Sequence, residues 1–163
     1  MNRKIESLLR FVNLTTSGLL AGSLGFGDAA LVPGWQAELP RHDMVPRLDP
    51  LKKLPYFNAI GPVALGTAVT LAVAGRGLHP IRRLLDAATA VALAGVLAST
   101  IMVTVPINKR LEEQAPADYP SDHSHSLARN WSLAHAVRTS LGIGAFVCAV
   151  ASNLAPNGTR PRD

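Results

Sequence analysis

Most charged residues fall in five segments, 1–10, 38–53, 76–83, 109–129 and 160–163. Between them lie four long, nearly uncharged apolar runs, at about 9–32, 56–74, 84–105 and 131–154. Pro33-Gly34, Gly75-Arg76-Gly77 and Pro156-Asn157-Gly158 close the first, second and fourth, and Pro106 stands at the exit of the third. Each run is close to the ~20 helical residues that cross a bilayer core. Apolar and polar residues do not alternate, which argues against a membrane barrel. The pattern predicts an all-α fold: a four-transmembrane-helix bundle with two longer polar loops on one side. Residues 1–163 form a single membrane domain, ending in a short polar tail at 155–163. Small residues recur along the runs: Gly18, Gly22 and Gly25; Ala64, Ala68 and Ala72; Gly142, Ala145 and Ala149. Such stripes predict close helix packing where lipid supplies no hydrophobic drive.

Composition agrees. Of the 163 residues 48% are hydrophobic and 17% charged, against about 25% charged in soluble domains. The net charge of +5 then reads as loop charge facing headgroups, and no aromatic and basic interleaving points to nucleic acid. Cys148 cannot form an internal disulfide and reads as a small packing residue. Arg3, Lys4 and Arg10 before an apolar core, followed by GDAA, also fit a cleaved signal peptide. The length of that core, and its interruption by Asn13, Thr15, Thr16 and Ser17, favour a retained helix. GSLGFG at 22–27 lies inside this helix rather than after a strand, so it is not a phosphate loop. The terminal segments and the 76–83 loop carry eight Lys or Arg against seven on the long loops. The short, purely basic loop tips the orientation towards an integral, multi-pass protein with both termini cytoplasmic.

In that topology polar residues from separate segments converge at the long-loop end. Asp28 is near the end of the first run, Asn58 near the start of the second, and Asn108 just past the third. Trp131, His135 and Arg138 occupy the first turns of the fourth. Their i, i+4, i+7 spacing places them on one helix face, with His135 ~6 Å and Arg138 ~10 Å below Trp131. Gly142 continues that face. Ionisable residues inside a bundle are functional candidates by default. The plainer alternative is a structural Arg–Asp pair with Trp131 as an interfacial anchor. Asp86, one turn from Arg82, reads as a helix-start charge pair. His42, His123 and His125 share the long-loop side, and the His-x-His of DHSHS is a weak copper or zinc motif. A haem held by two histidines fits poorly, because only His135 lies within a run.

The string VPINKRL at 105–111, followed by WSLAHAVRT at 131–139, gives Asn-x-x-Leu and then Trp-x-x-x-His-x-x-Arg-Thr at the head of the last helix. This pattern resembles the anthrone oxygenase-like family of small four-helix membrane proteins. The match is good over the last third of the chain. Earlier, only the layout and the small-residue first helix agree. The resemblance implies oxidation of an anthrone to an anthraquinone with dioxygen, in aromatic polyketide chemistry. It carries over Asn108, Trp131, His135 and Arg138 as site residues.

The residues suit that chemistry. Loss of the acidic C–H of an anthrone gives a carbanion that reacts with dioxygen directly, so no flavin or metal is required and dioxygen is the co-substrate. His135 is the expected general base. Arg138 stabilises developing oxyanion charge, Trp131 stacks on the flat ring, and Asn108 orients the His or binds the carbonyl. Asp28 and Asn58 complete the substrate-binding set. The expected partners are a lipophilic aromatic molecule and the bilayer, with oligomerisation open. Two alternatives stand: a non-catalytic scaffold or small-molecule carrier, and a metalloenzyme using His42, His123, His125 or His135.

Overall fold

In the computed structural model, residues 2–33, 55–75, 79–114 and 122–156 are described, and these residues are helical almost throughout. Helix α1 (Arg3–Phe26) is capped by Asn2, whose side chain accepts from the Lys4 amide. It runs directly into a π-helical turn, Gly27–Leu31. Helix α2 is Pro55–Ala74. Helix α3 (Pro80–Ser99) starts with Pro80 in its first turn, where a missing N–H costs nothing. A second π turn, Thr100–Thr104, joins it to α4 (Val105–Gln114). Helix α5 is Asp122–Leu154.

The rods outrun the apolar runs at several ends. The third continues past Pro106 to Gln114, because the widened π turn just before Pro106 rearranges the carbonyls its ring would otherwise strike. The fourth begins at Asp122 rather than at Trp131, since nothing in 122–130 breaks a helix.

Side-chain contacts fix the topology. Arg10 reaches Ser152, Gly18 lies under Phe146, and Gly27 lies under His135, so α1 and α5 are antiparallel. Asn13 donates to the Ala64 carbonyl and Thr67 hydroxyl, which packs α2 against α1. Gly61 faces Leu97, Gly95 faces Leu141 and Arg138 reaches Thr100, which closes the ring through α3 to α5. Leu20, Leu24, Ile60, Ala64, Ala68, Leu93, Val96 and Ala145 form the buried centre.

The small-residue stripes of α2 and α5 are packing faces, with Ala64, Ala68, Gly142, Ala145 and Ala149 buried. The stripe on α1 behaves differently. Gly18 abuts the Phe146 ring, but a Cβ on Gly22 or Gly25 would meet nothing within 4 Å. The packing face of α1 is instead Asn13, Ser17, Leu20, Ala21, Leu24 and Gly27.

At the terminal end of the bundle Arg10 and Asp86 form a buried pair, 6% and 4% exposed, with the guanidinium holding the carboxylate through 3.1 and 3.2 Å bonds. Ser152 of α5 donates to Asp86 and accepts from Arg10, while Glu6 takes the Arg10 Nε–H. The carboxylate of Asp86 thus ties α3 to α1 and α5, its ion-pair partner being Arg10 rather than the Arg82 expected from a one-turn spacing. Arg82 donates to the Ser152 carbonyl.

Large apolar side chains meanwhile point outward, among them Phe11, Val91, Met102, Val137 and Val147. Two helices are long and apolar enough to cross a membrane, Pro80–Arg110 and Arg129–Leu154, and Ala59–Ala74 is apolar but shorter.

Candidate active site

Helix α5 carries the site at the opposite end from the Arg10–Asp86 pair. His135 and Arg138 are 6% and 8% exposed, on the face that α1 and α3 cover. The guanidinium approaches His135 Nδ1 at 2.6 Å and donates to the Thr100 hydroxyl at 3.4 Å. Trp131 stacks on His135 with ring centres 5.0 Å apart and planes 9° from parallel. Its indole N–H donates to the Asn108 side-chain oxygen at 2.8 Å. Asn108 therefore acts on the site through Trp131, and one face of Trp131 is covered by the imidazole. Ile107 and Leu127 close the outer end against Trp131.

The Arg138–His135 contact settles the tautomer. A guanidinium can only donate, so Nδ1 accepts and the neutral imidazole carries its hydrogen on Nε2. Among the described residues two buried polar atoms here have no hydrogen-bond partner, Arg138 Nε and the Thr104 hydroxyl, while His135 Nε2–H is directed at the Leu24 carbonyl. The first is an obligatory donor and the second can donate. Buried donors without acceptors are rare and costly. A ligand oxygen bearing negative charge is the chemical species that satisfies such a set.

Both π turns flank this face, and π turns are frequent at functional sites. Gly27 opens the first. A Cβ there would sit 2.7 Å from His135 Nε2 and 3.0 Å from its Cε1. Thr100 opens the second and receives Arg138. Gly27, Thr100 and Thr104 were not among the sequence candidates. The signal that could have found Gly27 is a glycine beside the single acid of the first run. The two threonines need the α3–α5 register.

Asp28 follows Gly27, is half-buried, and lies near enough for its charge to act on both His135 and Arg138. Asn58 belongs to α2, but its side chain lies outside the described ones, as do those of His123 and His125; all of His42 does. His123 and His125 fall in the first turn of α5. Among the described residues no three His, Cys, Asp or Glu side chains gather to hold a metal ion.

The Anthrone oxygenase family model matches residues 54–148, which hold α2 to α4 and most of α5 with Asn108, Trp131, His135 and Arg138. The chain belongs to the anthrone oxygenase family. It has no significant match among curated proteins or among solved structures. Asp28 and Gly27 lie before the matched segment, so the family correspondence covers the α5 face and not the α1 wall.

Gly27→Ala is expected to displace the imidazole, because Arg138 and Trp131 already hold its other sides. Any activity that depends on this face should fall at least about tenfold, the scale expected for small misplacements of catalytic groups. Gly25→Ala, in open space, is the control, and activity of both proteins read beside their thermal unfolding separates misplacement from misfolding.

Proposed function

We propose that this chain is a multi-pass membrane oxygenase that oxidises a flat, lipophilic anthrone-like substrate to its quinone with dioxygen at the His135–Arg138 face. The observation that carries the reading is a buried Arg138 guanidinium, its Nε unpartnered, held against the buried His135 imidazole. Family membership supports oxygenase chemistry. The outward apolar side chains around buried Arg10, Asp86, His135 and Arg138 support a bilayer setting, in which polar groups face the bundle interior.

In this mechanism Trp131 borders the flat ring, and Arg138 with His135 Nε2–H holds the substrate oxygen. Proton loss from the acidic carbon sends its electron pair through the ring to that oxygen, where a fixed cation and an imidazole N–H stabilise the charge in a dry site. Dioxygen takes electrons from the carbanion and forms the new C–O bond, and one proton completes a hydroperoxide. Loss of the second C–H proton breaks the O–O bond and gives the carbonyl and water. One anthrone and one dioxygen thus yield one quinone and one water, and no other reductant enters.

We read His135 as an oxyanion donor rather than the general base expected from its residue type. Its lone pair faces Arg138, and removing a substrate proton would require shedding that contact first. His135 is better placed as an oxyanion donor.

The test is purified protein in nanodiscs with anthrone, following oxygen uptake and quinone absorbance, with metal content measured on the same sample. Uptake that disappears in His135→Ala without following metal content is the expected result. Uptake that follows metal content would move the chemistry to a His-ligated metal. No uptake above the buffer rate would leave a scaffold or small-molecule carrier.

A further inference from the structure

The second π turn buries its polar residue and exposes its apolar ones. Ile101, Met102, Val103 and Val105 face outward, while Thr104 is 5% exposed and its hydroxyl has no partner among the described residues. Other threonines of the bundle satisfy theirs. Thr16, Thr67, Thr89 and Thr100 donate to the carbonyl four residues earlier, and Thr139 donates to the Leu24 carbonyl. At Thr104 the carbonyl four residues back, that of Thr100, bonds the Val105 amide across the π turn. A buried hydroxyl left without a partner costs stability and calls for an explanation.

Contacts on either side fix its place. Thr100, one turn before, receives Arg138 Nη1 at 3.4 Å, and Asn108, one turn after, receives the Trp131 indole N–H at 2.8 Å. Residues four apart share a helix face, so Thr104 lies on the face that α5 covers, between the Arg138 and Trp131 contacts. His135 holds the matching place on α5. The guanidinium engages Thr100 through Nη1 and His135 through Nη2, which leaves Nε–H without an acceptor. The Thr104 hydroxyl and Arg138 Nε–H are thus two buried donors without acceptors, one from each wall of the same site.

We infer that the Thr104 hydroxyl donates to the substrate oxygen that Arg138 holds, as a second wall of the oxyanion pocket. The inference rests on the oxygenase reading above and adds a contact to the same oxygen. As the acidic C–H breaks and its electron pair moves to that oxygen, a hydrogen bond from the hydroxyl strengthens with the growing charge. Thr104 forms no covalent bond and gives up no proton.

Thr104→Val removes the hydroxyl and keeps the branched shape, whereas Thr104→Ser keeps the hydroxyl and removes the methyl. Both are compared with wild type in nanodiscs by oxygen uptake with anthrone, by anaerobic deuterium entry from heavy water at the acidic carbon, and by thermal unfolding. Thr104→Ala takes the place of Thr104→Val if the valine protein does not fold. In Thr104→Val, kcat and exchange should both fall roughly ten- to a hundredfold, the worth of a hydrogen bond to a charged oxygen. KM should change little, because the bond tightens in the transition state. Thr104→Ser should keep most of both activities. The unfolding temperature of Thr104→Val should equal or exceed that of wild type, since an unpartnered buried hydroxyl has gone. Wild-type kcat in Thr104→Val, or equal losses in the valine and serine proteins, would overturn the assignment. So would a fall in kcat with exchange unchanged, which would put the hydroxyl on a later oxygen intermediate, or activity and unfolding temperature falling together, which would make Thr104 structural. Should wild type take up oxygen without exchange, kcat in the two variants decides by the same criteria. Wild-type uptake that Thr104→Val leaves unchanged defeats Thr104 alone, whereas a wild-type protein showing neither uptake nor exchange defeats the oxygenase reading together with it.

Discussion

Arg138→Met is expected to slow anthrone oxidation by about 10²–10³-fold, the loss seen when a donor to a developing oxyanion is removed, while leaving the protein folded. Methionine matches the length and flexibility of the arginine stem and packs into the same space without charge. Arg138 contacts Thr100 and His135, and no carboxylate lies within ion-pairing distance of it among the described residues. Its cation is therefore buried with only the more distant charge of Asp28 to offset it, and burying such a charge opposes folding. The variant should consequently unfold at the same temperature or a higher one while losing turnover. That combination separates a functional arginine from a structural one, because a structural Arg138 would take protein yield and unfolding temperature down together. Activity and thermal unfolding measured on one preparation decide it.

The opposite outcome is expected at the other end of the bundle. Arg10→Met leaves Asp86 buried without its cation, and breaking such a pair costs about 3–5 kcal/mol. For a chain of this size that is a fall of roughly 6–20 °C in unfolding temperature. The double variant Arg10→Met/Asp86→Leu removes both charges and should recover most of the loss, since a buried pair is often no better than apolar residues of similar volume. Gly27 is 17 residues along the helix from Arg10, about 25 Å, so activity per folded molecule should change little. Unfolding in detergent across the three proteins tests this. A fall of less than about 1 kcal/mol in the single variant would mean that water reaches the pair and screens it.

The sequence announced the helices because length and unbroken hydropathy are local properties. It placed Trp131, His135 and Arg138 on one face for the same reason, since 3.6-residue periodicity needs no partner helix. Contacts between helices were harder to read. Asp86 appeared beside Arg82 because they are a turn apart, whereas its bidentate partner Arg10 is 76 residues away. The signal was present: Arg10 and Asp86 both fall inside apolar runs, where opposite charges call for each other. The α1 glycines look like a packing stripe, but helix rotation turned Gly22 and Gly25 away and buried Ser17 and Leu24 instead. Asn108 was expected to act on His135 or substrate, and its committed bond to Trp131 depends on α4 continuing past Pro106. Neither π turn has a sequence signature, so the walls that Gly27 and Thr100 build around the imidazole could not be foreseen.

The central claim is dioxygen chemistry at the His135–Arg138 face, and the most direct measurement is the mass of the quinone formed from anthrone under ¹⁸O-labelled dioxygen. The account predicts one labelled oxygen per quinone, formed by the wild-type protein well above the buffer rate and suppressed in Arg138→Met. Unlabelled quinone, or labelled quinone formed equally fast by Arg138→Met, would contradict it.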